Sequence, residues 1–176
     1  MSTEWILILD YGGQYTQLIA RRVREANIFC RIEPPDFGGD ETANDASLKG
    51  VVLSGGPSSV FAENAPKLPA WFSRYEGPVL GICYGMQLLA GADGGEVAGG
   101  GEMEFGPAQI HFEKDAPLFQ GLESGGQVWM SHGDRVTALP EGYERIGSTA
   151  DLATAAIANV RARRYGVQFH PEVMHT

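Results

Sequence analysis

The sequence predicts an α/β fold in which an open, mostly parallel sheet is flanked by helices and extended by a smaller antiparallel β addition. Three observations predict it. Short unbroken apolar runs recur in the first ninety residues, a helical repeat of apolar residues separates the first two, and the second half turns to glycine-rich sequence with short β-like segments.

Trp5 to Leu9 is a continuous apolar run ending at Asp10, with Gly12 and Gly13 as its turn, and such a run suits a strand buried on both faces. From Tyr15 to Ala26, Leu18, Ile19, Val23 and Ala26 fall at helical spacing, with Arg21, Arg22, Arg24 and Glu25 mostly opposite them. Ile28 to Ile32 is a second strand, stopped by Pro34 and Pro35, and Asp36 to Asn44 is a polar loop. Val51 to Leu53 resumes the sheet. Gly77 and Pro78 introduce a buried strand, Val79 to Ile82, which runs directly into a helix from Tyr84 to about Ala90. Beyond Gly91 the glycine cluster Gly94 to Gly101 is expected to be loop. Four later segments, Gln109 to Phe112, Val128 to Met130, Ala155 to Val160 and Tyr165 to Phe169, are expected as antiparallel additions.

Bulk composition narrows the function classes. A chain of 176 residues, 43% hydrophobic and 20% charged, is the size and kind of one globular domain. No apolar run approaches the length of a membrane span, and the N-terminus lacks the basic segment and cleavage site of a secretory signal, so a cytoplasmic location is expected. A net charge of −9 would repel a phosphate backbone, which argues against nucleic acid as a partner. Cys30 and Cys83 are far apart, with no Cys-x-x-Cys and no histidine at ligand spacing, so neither a metal site nor a disulfide is expected.

The sharpest chemical signal is Gly81-Ile82-Cys83-Tyr84-Gly85, a G-x-C-x-G where a buried strand meets a helix. It is the cysteine counterpart of the nucleophile elbow. The glycines let the backbone turn tightly, the central side chain stands above the sheet, and the N-terminus of the new helix favours a thiolate there. A free cysteine is more often a small buried hydrophobe, and Cys30, inside an apolar strand, is assigned that role. A thiol nucleophile needs a base, and His170-Pro171-Glu172 supplies one directly after the segment Gly166 to Phe169. Pro171 biases His170 toward extended backbone, where side chains two apart share a side, so Glu172 can orient the imidazole.

Ser54-Gly55-Gly56-Pro57 follows the strand at Val51 to Leu53 but lacks the Lys-Ser or Lys-Thr of a nucleotide-binding loop. An oxyanion hole fits better, with backbone N–H groups near Gly56 and at Tyr84; an ordinary strand-to-helix turn is the competing reading. Of the other histidines, His132 lies in Ser131-His132-Gly133-Asp134, a polar loop at a strand end where binding residues concentrate. His111 is expected at the surface and His175 at a loosely held terminus.

These motifs resemble, in order, those of the class I, triad-type glutamine amidotransferases: Ser54-Gly55-Gly56-Pro57, Gly81 to Gln87, and His170-Pro171-Glu172. The segments Asp10 to Glu25, Trp129 to Asp134 and Glu172 to Thr176 are similar to the GMP synthase branch in particular, and the resemblance covers essentially the whole chain. It implies a flavodoxin-like α/β domain over residues 1–176. It further implies that Cys83 attacks the side-chain amide of glutamine, that His170 serves as acid and base, and that Glu172 orients it. Gly56 and Tyr84 would be the oxyanion donors, and Gln87, Ser131, His132, Gly133 and Asp134 would seat the substrate. No cofactor is implied within the domain. The ammonia would pass to an ATP-pyrophosphatase synthetase that uses ATP and magnesium to aminate xanthosine monophosphate, and that synthetase and a closing helix are expected outside this chain. Gly13, Phe105 and Met174 depart from the family's usual serine, tyrosine and threonine. Two other readings compete: a glutaminase serving another acceptor, and a docking or regulatory domain with an idle site.

Overall fold

The computed structural model describes residues 3–99, 103–113, 116–122 and 125–176. In chain order the elements are β1 (Trp5–Leu9), α1 (Thr16–Glu25), β2 (Cys30–Glu33), α2 (Asp40–Ala43), β3 (Leu48–Leu53), β4 (Val79–Ile82), α3 (Tyr84–Ala92), β5 (Glu96–Ala98), β6 (Glu104–Phe112), β7 (Gly126–His132), β8 (Arg135–Ala138), β9 (Glu144–Ser148), β10 (Ala156–Asn159) and β11 (Arg164–Val167). Nine strands form one mixed sheet in the order β2-β1-β3-β4-β11-β10-β9-β6-β7, and β5 pairs with β8 in a separate two-stranded sheet.

The apolar runs explain the parallel half. Leu7, Ile8 and Leu9 of β1 are all fully buried. Ile8 joins the cluster containing Ile19 and Ala20 of α1, whereas Leu7 and Leu9 join the cluster containing Trp71 and Leu89. Because alternate strand residues face opposite ways, a strand covered on both faces has to be apolar at every position. Each such Leu or Ile side chain stabilises the fold by roughly 1.5–3 kcal/mol relative to exposure. Between β3 and β4 the sheet is covered not by an α-helix but by a 3-10 turn, Ala70–Arg74, whose Trp71 and Phe72 are buried.

Several boundaries differ from the sequence reading for local reasons. Ile28 and Phe29 are solvent-exposed and β2 starts only at Cys30, because α1 ends in a left-handed Asn27 (φ 59°) that turns the chain first. β3 reaches back to Leu48, which pairs with Trp5 of β1. The polar loop from Asp36 to Asn44 holds the single turn of α2, and the glycine cluster holds β5, although Gly100 and Gly101 lie outside the described residues.

The larger correction concerns the late strands. β6, β7, β9 and β10 are antiparallel but extend the main sheet, and the segment expected at Tyr165 to Phe169 is the central strand β11, parallel to β4. Its hairpin with β10 is antiparallel, so β11 joins the two halves. A short apolar segment carries no label of its neighbour's direction; here direction follows from the long excursion between residues 83 and 163 that returns β11 beside β4. Among the described residues no helix is long and apolar enough to cross a membrane.

Candidate active site

β4 and β11 are hydrogen-bonded neighbours with Ile82 opposite Val167, and both strands end at the same edge of the sheet. That register brings Cys83 and His170 together, at the carboxyl ends of parallel strands where open α/β sheets bind ligands. Cys83 is the turn residue between β4 and α3, with φ 52° and ψ −106°, and its N–H donates to the Val167 carbonyl at 2.8 Å. A non-glycine residue held there is strained by about 1–3 kcal/mol, a cost that clusters at functional sites. The flanking glycines permit the turn through close packing rather than through positive φ. A Cβ on Gly81 would lie 2.6 Å from the Gly85 backbone, and one on Gly85 would lie 2.2 Å from the Leu53 carbonyl oxygen.

His170 is held from several sides. Its N–H donates to the Trp129 carbonyl at 3.0 Å, its own carbonyl accepts from the Thr176 hydroxyl at 2.7 Å, and the Tyr15 ring meets the imidazole edge-on at 5.5 Å. The Nδ1 to Glu172 Oε1 distance is 2.8 Å, with both side chains buried. Since a carboxylate only accepts, Nδ1 carries the proton and Nε2 is left for chemistry. Burial pushes the imidazole pKa down, but hydrogen bonding and charge attraction from Cys83 and Glu172 outweigh it and raise the pKa to about 10. At neutral pH the favoured state of the pair is therefore an imidazolium facing the sulfur.

Gly55 completes the third side, because a Cβ there would lie 2.9 Å from His170 Cε1. Gly56 packs on Tyr11, whose carbonyl oxygen would be 2.5 Å from a Cβ. Neither the Gly56 N–H nor the Tyr84 N–H has an acceptor among the described residues, and both residues line the same cleft as Cys83. Two free donors beside a nucleophile can hold an oxyanion.

The cleft has a volume of about 520 Å³, and Gln87, Ser131 to Asp134, Tyr15 and His170 are among the residues that line it. Ser131 and His132, expected in a loop, are the last residues of β7, paired with Phe105 and Glu104 of β6, because the strand pairing runs on to the end of β6; only Gly133 and Asp134 form the turn into β8. Gln87 is tied to that turn, its Nε2 donating to the Asp134 carbonyl at 2.8 Å, while the Ser131 carbonyl lies 3.5 Å from Cys83 Sγ. His132 is buried between the Asp134 carbonyl (Nδ1, 3.1 Å) and the Glu104 carboxylate (Nε2, 3.0 Å). Burial lowers its pKa, with Glu104 pulling the other way. The Asp134 carboxylate accepts from the Val60 N–H, closing the loop against the far rim. Every site residue named from the sequence lines this cleft except Glu172, which stands behind His170. His111 is exposed, as expected from the sequence, and His175 packs on Trp129 at 5.0 Å.

The roles of three residues escaped the sequence reading, although Gly55 and Thr176 stand in segments it singled out. Gln168 is fully buried and donates to Cys83 Sγ at 3.5 Å, Thr176 pins the His170 backbone, and Gly55 makes room for the imidazole. A glutamine among apolar strand residues was the available signal for the first; nothing local marks the other two.

The glutamine amidotransferase class-I family model matches residues 7–176. The chain belongs to the class-I glutamine amidotransferases. The amidotransferase sequence is 50% identical over 173 residues to a protein named GMP synthase [glutamine-hydrolyzing] from Caldanaerobacter subterraneus subsp. tengcongensis, covering 98% of this chain and 34% of that protein. It is 47% identical over 171 residues to the protein of the same name from Vibrio parahaemolyticus, covering 97% of this chain and 33% of the relative. The amidotransferase thus spans about a third of the length of these relatives. Its fold matches the crystal structure of a protein from Thermoplasma acidophilum described as one subunit of a GMP synthase, with a TM-score of 0.83 and 29% identity over 100% of this chain and 88% of that one. A glutamine amidotransferase from Thermotoga maritima, 24% identical with a TM-score of 0.74 over 98% of this chain and 78% of that one, shares the fold.

Proposed function

We propose that this amidotransferase domain hydrolyses L-glutamine to glutamate and ammonia through a γ-glutamyl thioester on Cys83, and that the ammonia aminates xanthosine monophosphate to GMP on a synthetase domain or subunit. The observation that carries the hydrolytic step is the buried line from Cys83 to His170 to Glu172, with the first two lining one cleft. The acceptor rests on the relatives' names.

Sγ of Cys83 attacks the carboxamide carbon, and the C–O π electrons move to oxygen, where the Gly56 and Tyr84 N–H groups receive the charge. Collapse breaks the C–N bond as imidazolium His170 gives its proton to the departing nitrogen, releasing ammonia and leaving the thioester. His170, now neutral at Nε2, takes a proton from water, which attacks the thioester; the second collapse releases glutamate and restores the thiolate. Glu172 keeps Nδ1 protonated throughout. Gln87, anchored through its amide N–H groups, leaves Oε1 free to accept from the substrate's α-ammonium. ATP and magnesium would act on the synthetase, and the setting would be cytoplasmic.

Steady-state glutamate release tests this, with and without a synthetase partner loaded with ATP, magnesium and xanthosine monophosphate, and with Cys83→Ala as the blank. Cys83-dependent release that rises with the loaded partner supports the proposal. Release that is unchanged by that partner redirects the ammonia to another acceptor, and a folded protein inactive in both conditions has an idle site.

A further inference from the structure

Gln168 is a polar side chain with no solvent exposure, lodged between the nucleophile and the substrate loop and unused by the triad. Which end of its amide faces the sulfur follows from its neighbours. The Asp134 carbonyl can only accept, so the group Gln87 presents to it at 2.8 Å is its NH₂. The second hydrogen of that NH₂ points to the Gln168 carbonyl oxygen at 3.4 Å. With its oxygen committed there, Gln168 presents its own NH₂ to Cys83 Sγ at 3.5 Å, within range for a hydrogen bond to sulfur. The Gln168 backbone is fixed as well, its N–H donating to the Ala155 carbonyl at 2.8 Å.

We propose that Gln168 is a positioning residue for the nucleophile, its amide donating a hydrogen bond that favours the Cys83 thiolate, and that Gln87 orients this amide from the Asp134 end of the substrate loop. The sulfur sits between two opposed partners. The Ser131 carbonyl, at 3.5 Å, accepts and so suits the thiol form, whereas the Gln168 amide donates and so suits the thiolate. Both partners are connected to the segment from Ser131 to Asp134, directly in one case and through Gln87 in the other. A shift of that segment away from the sulfur therefore tips the balance toward thiolate, provided the Gln87 to Gln168 link holds.

The inference rests on the proposed role of Cys83, so its test has one readout that needs no turnover. Gln168→Met removes the donor with an apolar side chain of similar length; Gln168→Glu keeps the shape and still accepts from Gln87 but has no donor when ionised. For each folded variant, checked by circular dichroism, two profiles are measured against pH. One is kcat/KM for glutamate release; the other is the rate of Cys83 alkylation by iodoacetamide, followed on its tryptic peptide. A hydrogen bond to a charged group is worth roughly tenfold to a hundredfold in the equilibrium it favours. Both acid limbs are therefore expected to move to higher pH by about one unit or more in Gln168→Met, and further in Gln168→Glu, where a carboxylate faces the sulfur. An acid limb unmoved in either folded variant overturns the proposal, and so does a loss of kcat/KM that is the same at every pH. A wild-type protein that releases no glutamate, with or without the loaded partner, while the alkylation limbs of the variants shift as expected refutes the glutaminase reading and leaves the role of Gln168 standing.

Discussion

Replacing Glu172 by glutamine leaves an acceptor for His170 Nδ1 and removes only a charge. The 2.8 Å contact between two buried side chains places the charge centres roughly 4 Å apart, where a unit pair at an effective dielectric of about 20 interacts by about 4 kcal/mol. At about 1.4 kcal/mol per pKa unit that attraction sets an upper limit of about three units, and because Cys83 also holds the His170 pKa up, Glu172→Gln should lower it from about 10 by less than that. The imidazolium then loses its proton at lower pH than in the wild type, and the proton donor for the leaving nitrogen is depleted on the alkaline side. The deficit in glutamate release should therefore grow with pH, by about tenfold for each unit above the lowered His170 pKa, and level off near pH 10. NMR titration of histidine-labelled protein, with the His170 signal assigned from a His170→Gln spectrum, reads the shift directly. If His170 still titrates near 10 in Glu172→Gln, the electrostatic account of the pair is wrong, whatever the activity does.

The raised pKa of His170 also sets a pH window for stability. The group contributes fully below the unfolded value of about 6.5 and its contribution is lost as pH rises through about 10, so the urea midpoint should decline across that range, with a shallower decline in Glu172→Gln. Cys83→Ala should abolish glutamate release while the circular dichroism spectrum stays unchanged, and Cys83→Gly should be more stable than Cys83→Ala by about 1 kcal/mol, because glycine tolerates φ 52°. Gly55→Ala should displace the His170 ring and cost at least about a hundredfold in glutamate release with a small change in urea midpoint. Gly85→Ala drives a Cβ against the Leu53 carbonyl and should lower the urea midpoint by the equivalent of about 3 kcal/mol or prevent folding.

Legibility in the sequence followed the reach of each physical constraint. The parallel strands could be read because burial on both faces demands an unbroken apolar run, as in β1. The elbow could be read because its two glycines answer contacts made within five residues of one another and with the adjoining strand. Expecting Glu172 beside His170 needed only the alternation of side chains in extended backbone. The direction of β11 could not be read, since it is set by a partner eighty residues away. Gly55 is one of two adjacent glycines, and only the position of His170 Cε1 explains why it needs to lack a side chain. Thr176 acts on His170 through a turn that no periodicity describes.

The site is also where the fold is least comfortable. Cys83 holds a strained backbone, and Glu172 buries an oxygen, Oε2, that has no hydrogen-bond partner among the described residues. Each costs about 1–3 kcal/mol on its own. They sit at the carboxyl ends of β4 and β11, whose paired register makes the Cys83 and His170 positions a consequence of the central sheet rather than of flexible loops. The buried apolar side chains of β3, next to β4, and of β1 beyond it contribute offsetting stabilisation. The sulfur of this rigid pair is reached from the Ser131 to Asp134 segment by two routes, directly by the Ser131 carbonyl and, from the Asp134 carbonyl, through Gln87 and Gln168 in turn, so the segment that lines the cleft also sets the surroundings of the nucleophile.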